Sequence, residues 1–184
     1  MKQHILPALR LTLVSLVFFC GLYTLLIAVI AQAAPAKGNG ETILANGKIV
    51  GYKLEGQSFT QDKYFNGRPS AAGYNAAGSS GSNKGPSNPD YLKEVQSRID
   101  TFLVHNPGIK KEEIPADLVT ASGSGLDPDI SPKSAYIQVE RIARVRNIST
   151  EKIKTLIETS IEKPFVGIER VNVLQLNILL DQIK

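Results

Sequence analysis

One long apolar segment dominates the hydropathy pattern of this chain. Residues 11–31 contain no charged side chain, and the rest of the sequence has no second segment of this kind. A helix of about 20 apolar residues is long enough to cross the hydrocarbon core of a bilayer. The pattern therefore predicts one transmembrane helix over residues 11–31, followed by a linker over residues 32–42.

The charges on either side of this segment predict its orientation. Lys2 and Arg10 precede it, and the next charged residue is Lys37. Basic residues are retained on the cytoplasmic side, so we expect residues 1–10 in the cytoplasm and residues 43–184 outside it. A cleaved signal peptide is the alternative, because Ala31-Gln32-Ala33 suits a cleavage site, but signal h-regions span only about 7–15 residues.

Small side chains recur along one side of the predicted span. They are Gly21, Thr24, Ala28 and Ala31, separated by three, four and three positions. Small residues allow membrane helices to approach closely. We therefore expect this face to pack against partner helices, with ordinary use of Gly and Ala in membrane helices as the alternative.

The remaining pattern mixes strand and helix periods, which predicts an α+β fold class. We expect a single N-terminal transmembrane helix followed by one mixed α/β extracytoplasmic domain over residues 43–184. Residues 43–54 form two strand-like segments around Asn46-Gly47, a dipeptide that favours a tight hairpin turn.

Capping residues mark the predicted helices. Asn88-Pro89 and Ser131-Pro132 each place a capping side chain before a proline that suits the first helical position. The predicted elements are a helix from Pro89 to the Asn106-Pro107-Gly108 break, a helix from Pro132 through Arg146, a helix capped by Ser149 that includes Ile161, a strand over Arg170–Val173 and a helix over Leu174–Ile183.

Two long polar segments interrupt this pattern. Residues 66–88 and 115–131 are rich in Gly, Ser, Asn and Pro and have few side chains to bury. Loops of this length inside a compact domain are usually functional or disordered. We therefore expect the two loops to form a contact surface for a partner.

Composition excludes several classes of function. Lys2 and Arg10 account for two of the 21 basic residues, so the part after the span carries a net charge of only +2. Such a weak excess does not indicate nucleic-acid binding. The single cysteine, Cys20, lies within the span. The exported domain must therefore fold without disulfides or thiolate metal sites.

A serine hydrolase is the alternative function that the motifs allow. Ser122-Gly123-Ser124-Gly125 loosely resembles a nucleophile elbow, although Ser122 occupies the position that requires glycine. His105 is the one histidine in the exported domain, residues 43–184, that could serve as a base. The hydrolase hypothesis requires a base within hydrogen-bonding reach of Ser122 or Ser124.

Charged residues elsewhere have simpler explanations. Asp117, Asp127 and Asp129 could contact a cation, because hard cations prefer oxygen ligands, but turn formation around Pro128 is the favoured role. The arginines of the helix from Pro132, namely Arg141, Arg144 and Arg146, are expected mainly on a solvated face.

Four segments resemble a known family. They are Tyr64–Ala71, Gly81–Pro86, Pro115–Pro128 and Arg170–Asn177. These motifs are similar to the C subunit of the Kdp potassium-transporting P-type ATPase, and the resemblance covers nearly the whole chain, including a single N-terminal membrane helix. One departure is visible, since the family commonly has His where this chain has Asp129.

The resemblance implies an accessory subunit rather than an enzyme. The implied partners are a channel-like potassium-binding subunit and an ATP-hydrolysing subunit of a complex in a bacterial inner membrane. ATP, Mg²⁺ and K⁺ act at the level of that complex, and the C subunit serves as a catalytic chaperone that raises ATP affinity. We expect neither catalytic nor metal-ligating residues in this chain. The candidate partner or pathway contacts are Arg68, Asn83, Asp117, Thr120, Ser122, Ser124, Asp127 and Asp129.

Overall fold

The computed structural model describes residues 2–183, whose contacts divide the chain into one unit ending at Glu41 and another beginning at Thr42. The first unit is a long helix made of α1 (Lys2–Leu16), a π-helical segment (Val17–Tyr23) and α2 (Thr24–Ala31). Its 29 residues from Gln3 to Ala31 are long and apolar enough to cross a membrane. The helix begins well before the apolar segment itself, so most of the predicted cytoplasmic N-terminus is helical.

The second unit opens with the predicted hairpin, which is confirmed. Strands β1 (Thr42–Ala45) and β2 (Lys48–Tyr52) pair antiparallel, with Thr42 opposite Tyr52. Asn46 and Gly47 have φ values of 50° and 74°. Positive φ at both central residues is what the tight hairpin turn requires, and Asn-Gly adopts it readily.

The predicted helix caps are confirmed as well. Helix α3 (Pro89–His105) is capped by Asn88, whose side-chain oxygen accepts from the backbone N–H groups of Asp90 and Tyr91 at 3.0 and 3.1 Å. Helix α6 (Thr150–Ser160) is capped by Ser149. These caps form within four residues of chain, so sequence alone could locate them.

The predicted helix from Pro132 through Arg146 is wrong as a single element. The structure has α4 (Pro132–Tyr136) and α5 (Val139–Arg146), with a break at Gln138. The Gln138 side chain is buried, accepts from the Asn66 backbone N–H at 2.8 Å and donates to the Ser134 carbonyl at 3.0 Å. These hydrogen bonds compensate for the interrupted helix.

A small sheet, which the sequence predicted only in part, lies beside these helices. Strands β3 (Asp129–Ile130), β4 (Ile161–Glu162) and β5 (Arg170–Asn172) run antiparallel in the order β3-β5-β4. The prediction was right for β5 and for helix α7 (Val173–Gln182), wrong in assigning Ile161 to the preceding helix, and did not include β3. Two-residue strands leave no readable alternation, so their pairing partner decides them.

The core lies between this sheet and helices α4 to α7. Ile130 and Val171 contribute from the sheet, and Phe65 fills the centre from the segment before the first polar loop. The helical members that are at most 1% exposed are Ala135, Val139, Ile142, Ile153, Ile157, Leu176 and Leu180. Phe65 and Ile130, beside which the two polar loops begin and end, both belong to this core.

Candidate functional site: the double loop

Residues 66–88 and 115–131, the double loop, bond to each other along their length. The Ser122 backbone N–H donates to the Pro69 carbonyl at 3.2 Å, and the Ser70 hydroxyl donates to the Gly125 carbonyl at 2.6 Å. Further along, the Ser80 N–H donates to the Ser124 carbonyl at 3.0 Å. The two predicted loops are therefore one structural element, although 26 residues, 89–114, lie between them in sequence.

Gly125 is where the two loops approach most closely. Its φ is 68°, a conformation that residues with a side chain rarely adopt. A Cβ placed there would lie 2.7 Å from the Ser80 carbonyl oxygen and 2.8 Å from Ala72 Cβ. A glycine is therefore needed for the loops to close on each other.

Arg68 and Asp127, both candidate partner contacts, form an ion pair with each other. Arg68 Nη1 lies 2.8 Å from Asp127 Oδ2, and both side chains are more than two-thirds buried. Asp127 Oδ1 also accepts from the Asp129 backbone N–H at 3.0 Å, which confirms the predicted turn role. Arg68 Nε is buried without a hydrogen-bond partner among residues 2–183. The charged groups of this pair therefore hold the double loop together.

Asp117 stabilises the start of α4, whereas Thr120 stabilises its own local turn. Asp117 Oδ2 accepts from the Ser131 backbone N–H at 2.8 Å, and its Oδ1 accepts from the Ser134 hydroxyl at 2.6 Å. The Thr120 hydroxyl donates to the Ala116 carbonyl at 2.6 Å. Within residues 2–183, no group of three or more His, Cys, Asp or Glu side chains is placed to hold a metal ion.

The two serines of the elbow-like motif have structural roles. Ser122 is buried, and its hydroxyl oxygen accepts from the Gly125 N–H at 2.9 Å. Ser124 Oγ accepts from the Leu126 N–H at 3.1 Å. His105, the base that a hydrolase would need, instead lies with Nδ1 2.8 Å from Asp62 Oδ1. These contacts describe turn serines and disfavour the hydrolase hypothesis.

Asp129 lies at the edge of the double loop, in β3. Its Oδ2 is 3.2 Å from Arg170 Nε, and Oδ1 accepts weakly from Asn172 Nδ2 at 3.4 Å. Burial raises the pKa of the Asp129 carboxyl above its ordinary value, and Arg170 opposes the shift. Asp129 thus has a cationic neighbour in Arg170.

Asn83 is one of two candidate contacts that are exposed, the other being Ser124. It has a φ of 54°, which Asn tolerates better than most residues. The adjacent Lys84 forms an ion pair with Glu94 of α3. This part of the double loop is therefore connected to α3 and still presents the Asn83 side chain to solvent.

The sequence prediction missed Arg141, which is 2% exposed. Its guanidinium donates to the Tyr64 carbonyl and to Asn66 Oδ1, each at 3.0 Å, and to Asn106 Oδ1 at 3.0 Å. Burial lowers its pKa to about 10, so it remains charged at neutral pH. Arg141 thereby orients the chain that leads into the double loop.

The prediction of a solvated arginine face is therefore wrong for Arg141 and holds for Arg144, which is exposed. Arg146 is largely covered, since its guanidinium lies over the Tyr64 ring and pairs with Asp181 at 2.6 Å. No local signal distinguishes these three arginines, because their partners lie far away in sequence: Arg141 donates to the Tyr64 carbonyl and Arg146 to the Lys63 carbonyl. A buried charge requires such partners.

The helix from Gln3 to Ala31, the anchor, contains a second candidate surface. Gly21 lies near the end of the π-helical segment, and Thr24 is the residue that follows the segment. The Thr24 hydroxyl donates to the carbonyls of Cys20 and Gly21 at 2.6 and 2.9 Å. A Cβ at Gly21 would meet no atom within 4 Å in residues 2–183. Thr24, Ala28 and Ala31 follow in or at the end of α2, after the π-helical turns. Such turns occur frequently at functional sites.

Known proteins resemble this chain over its full length. The family model of the K⁺-transporting ATPase, c chain, matches residues 5–182. The potassium-transporting ATPase KdpC subunit of Flavobacterium psychrophilum is 59% identical over 99% of this chain and 100% of that protein. The KdpC subunit of Bacteroides fragilis strain ATCC 25285 is 51% identical over 99% and 98%. That of Caldanaerobacter subterraneus subsp. tengcongensis is 46% identical over 100% and 98%.

Proposed function

This chain belongs to the KdpC family, and from that premise we propose that it is an accessory, non-catalytic subunit of an ATP-driven potassium uptake pump. One observation carries the proposal. The similarity extends over the whole chain, anchor included, to proteins whose names make them subunits of a potassium-transporting ATPase. The partners would be a channel-like potassium-binding subunit and an ATP-hydrolysing P-type subunit in the bacterial inner membrane.

In this proposal the subunit raises the ATP affinity of its partner indirectly. An anchor with a cytoplasmic N-terminus would hold the larger unit outside, whereas ATP is bound inside. A subunit that packs better against one conformation of the pump shifts the population towards it, and nucleotide affinity then changes by linkage. The burial of Ser122 and the ion pair that Arg68 makes with Asp127 support this mechanism, because they remove a hydroxyl and a cation that could otherwise contact a phosphate.

The double loop would face the potassium-entry side of the complex. Arg68 and Asp127 would shape this surface from within, because they pair with each other. The direct contacts would come from exposed groups such as Asn83 and the backbone around Gly78 and Gly123. Small residues of this kind can follow the contour of a partner surface closely.

Affinity purification tests the proposal. The full-length tagged chain, extracted from membranes in mild detergent, should recover both pump subunits. The assembled pump should bind ATP more tightly than pump prepared without this chain, while the chain alone should not bind ATP. Recovery without either pump subunit would contradict the assembly role. Specific micromolar ATP binding by the chain alone would contradict the indirect mechanism.

Thiol labelling tests the orientation. Ala77 is exposed in the double loop, so an Ala77→Cys variant in a Cys20→Ser background carries a single reactive thiol. A membrane-impermeant reagent should label it in intact cells. Labelling only after lysis would place the double loop in the cytoplasm and overturn the proposed topology.

Gly21→Leu tests the anchor. The open space beside Gly21 means that the larger side chain fits within the chain itself, so any loss reports on partner helices. We expect association to weaken by about 1 kcal/mol, the scale of helix–helix interactions in membranes. Unchanged recovery of the complex in detergent would show that the small-residue face is not an interface.

A further inference from the structure

The turn between β4 and β5 exposes three apolar side chains side by side. Phe165 is 104% exposed, Val166 83% and Ile168 81%. Single exposed apolar residues are ordinary on protein surfaces. A contiguous group that includes a fully exposed aromatic ring marks an interaction site. We call Phe165, Val166 and Ile168 the apolar tip.

Ion pairs connect the two sides of the hairpin at the base of the apolar tip. Lys163 Nζ lies 3.3 Å from Glu169 Oε1, and Arg170 Nη2 lies 3.1 Å from Glu162 Oε2. Ile161 and Glu162 pair with Val171 and Arg170 in the sheet. A loop that is already ordered loses little conformational entropy on binding. The tip is therefore presented on a supported hairpin.

We propose that the apolar tip inserts into an apolar recess on the extracytoplasmic surface of a membrane protein partner within the pump. This inference rests on the proposed function, because it assumes that the chain assembles with other membrane subunits. It adds the segment that makes the contact and the chemistry of the surface that receives it.

The charges around the tip favour a protein over a lipid surface. Two cations, Lys163 and Arg170, face three carboxylates, Glu162, Glu169 and Asp129, and all five are paired among themselves. Anionic membranes attract clusters of unpaired basic residues, which this rim does not provide. An aromatic centre within a polar rim is the usual composition of a protein interface. The recess should therefore have a neutral or basic border.

The length of the tether limits which proteins are within reach. Residues 32–41 join the anchor to the second unit. Ten residues span at most roughly 35 Å when fully extended. For a chain held in the membrane by its N-terminal helix, a neighbouring subunit in the same membrane is therefore the partner that the tether keeps within reach.

A single tryptophan can report where the tip lies. The chain contains no tryptophan, so Phe165→Trp gives the chain a unique fluorophore at the tip. The full-length variant is reconstituted in lipid nanodiscs, alone and with the pump subunits. The tryptophans of those subunits are replaced by the essentially non-fluorescent 4-fluoro analogue. We expect water-like emission from the chain alone and a blue shift on assembly, without quenching by brominated lipids.

Two other outcomes would overturn the inference. Blue-shifted emission from the chain alone, quenched by brominated lipids, would mean that the tip inserts into the bilayer. Water-like emission in the assembled pump would mean that the tip stays exposed. In the second case the assembly itself would show that the proposed function survives while the inference about the tip fails.

Partner recovery gives a second, independent measurement. Phe165→Ser should lower the recovery of pump subunits with the tagged chain at least tenfold, as expected for the loss of an interface hot spot. Val104→Ser is the matched control, because Val104 is 77% exposed on α3, and it should recover the subunits as well as the unmodified chain does. Equal recovery by Phe165→Ser would overturn the inference.

Discussion

The double loop and the apolar tip differ in how far their side chains are available to bind a partner, and in each case the composition suggests the opposite. The double loop is polar, yet several of its charged and hydrogen-bonding groups already have partners within it. Arg68 pairs with Asp127, and the Ser70 hydroxyl donates to the Gly125 carbonyl. The apolar tip belongs by composition in a core, yet Phe165 is fully exposed. The comparison shows that a polar segment can be internally satisfied while a hydrophobic one remains available for binding.

The physical reason is that a polar group removed from water needs a hydrogen-bond partner, whereas an apolar group is stabilised by any contact that removes it from water. Buried backbone and side-chain polar groups are almost always hydrogen-bonded, and in the double loop the neighbouring loop supplies those bonds. The apolar tip is not covered by any element within residues 2–183, so it is available to a second molecule. The predictions below test the two halves of this contrast.

The largest loss of stability is expected when the hydrogen bonds of Arg141, which orient the chain leading into the double loop, are removed. Arg141→Met leaves several buried acceptors without a donor, among them Asn66 Oδ1 and the Tyr64 carbonyl. We expect the free energy of unfolding to fall by about 3–5 kcal/mol, measured by urea unfolding in mild detergent with circular dichroism. The control is Arg144→Met on the same helix, which should change it by less than about 0.5 kcal/mol.

The next effect concerns the closure of the two loops. Gly125→Ala places a methyl group against Ser80 and Ala72 at a positive φ, and we expect a loss of about 2–4 kcal/mol in unfolding free energy. Gly123→Ala is the matched control, since its Cβ would meet nothing within 4 Å. If both substitutions cost the same, the double loop is not interlocked as described.

A smaller, pH-dependent effect is expected at Asp129. Its raised pKa means that the folded state binds a proton more readily than the unfolded state, so the ionised carboxylate lowers stability above the raised pKa. This penalty should disappear as pH falls through the raised pKa and below the ordinary value of 3.8. The stability of the unmodified chain relative to Asp129→Asn should therefore rise with acidity. The measurement is urea unfolding of both proteins between pH 7 and pH 3.5.

The smallest effect on stability is expected at the apolar tip. Phe165→Ser and Val166→Ser remove side chains that are exposed in the folded chain, so each should change the free energy of unfolding by no more than about 0.5 kcal/mol. Thermal unfolding of the isolated full-length chain provides the measurement. A loss above 1 kcal/mol would mean that the tip packs within the chain, which would end the contrast with the double loop.

The sequence by itself determined the features that depend on local interactions. The anchor follows from the length of one apolar run, the hairpin from Asn46-Gly47, and the starts of α3 and α6 from the caps Asn88 and Ser149. The family was recognisable from linear motifs as well. In each case the information lies within a short stretch of chain, because capping and turn formation involve residues only a few positions apart.

Only the tertiary structure decided the features that depend on distant partners. The break at Gln138 is compensated by Asn66, 72 positions away, and the burial of Arg141 depends on carbonyls 77 and 79 positions away. Arg68 became a structural residue because it meets Asp127, 59 positions further along the chain. Strands β3 and β4 exist because both pair with β5. Local sequence patterns show which residues require a hydrogen-bond, ion-pair or strand partner. Packing in three dimensions determines which distant residue becomes that partner.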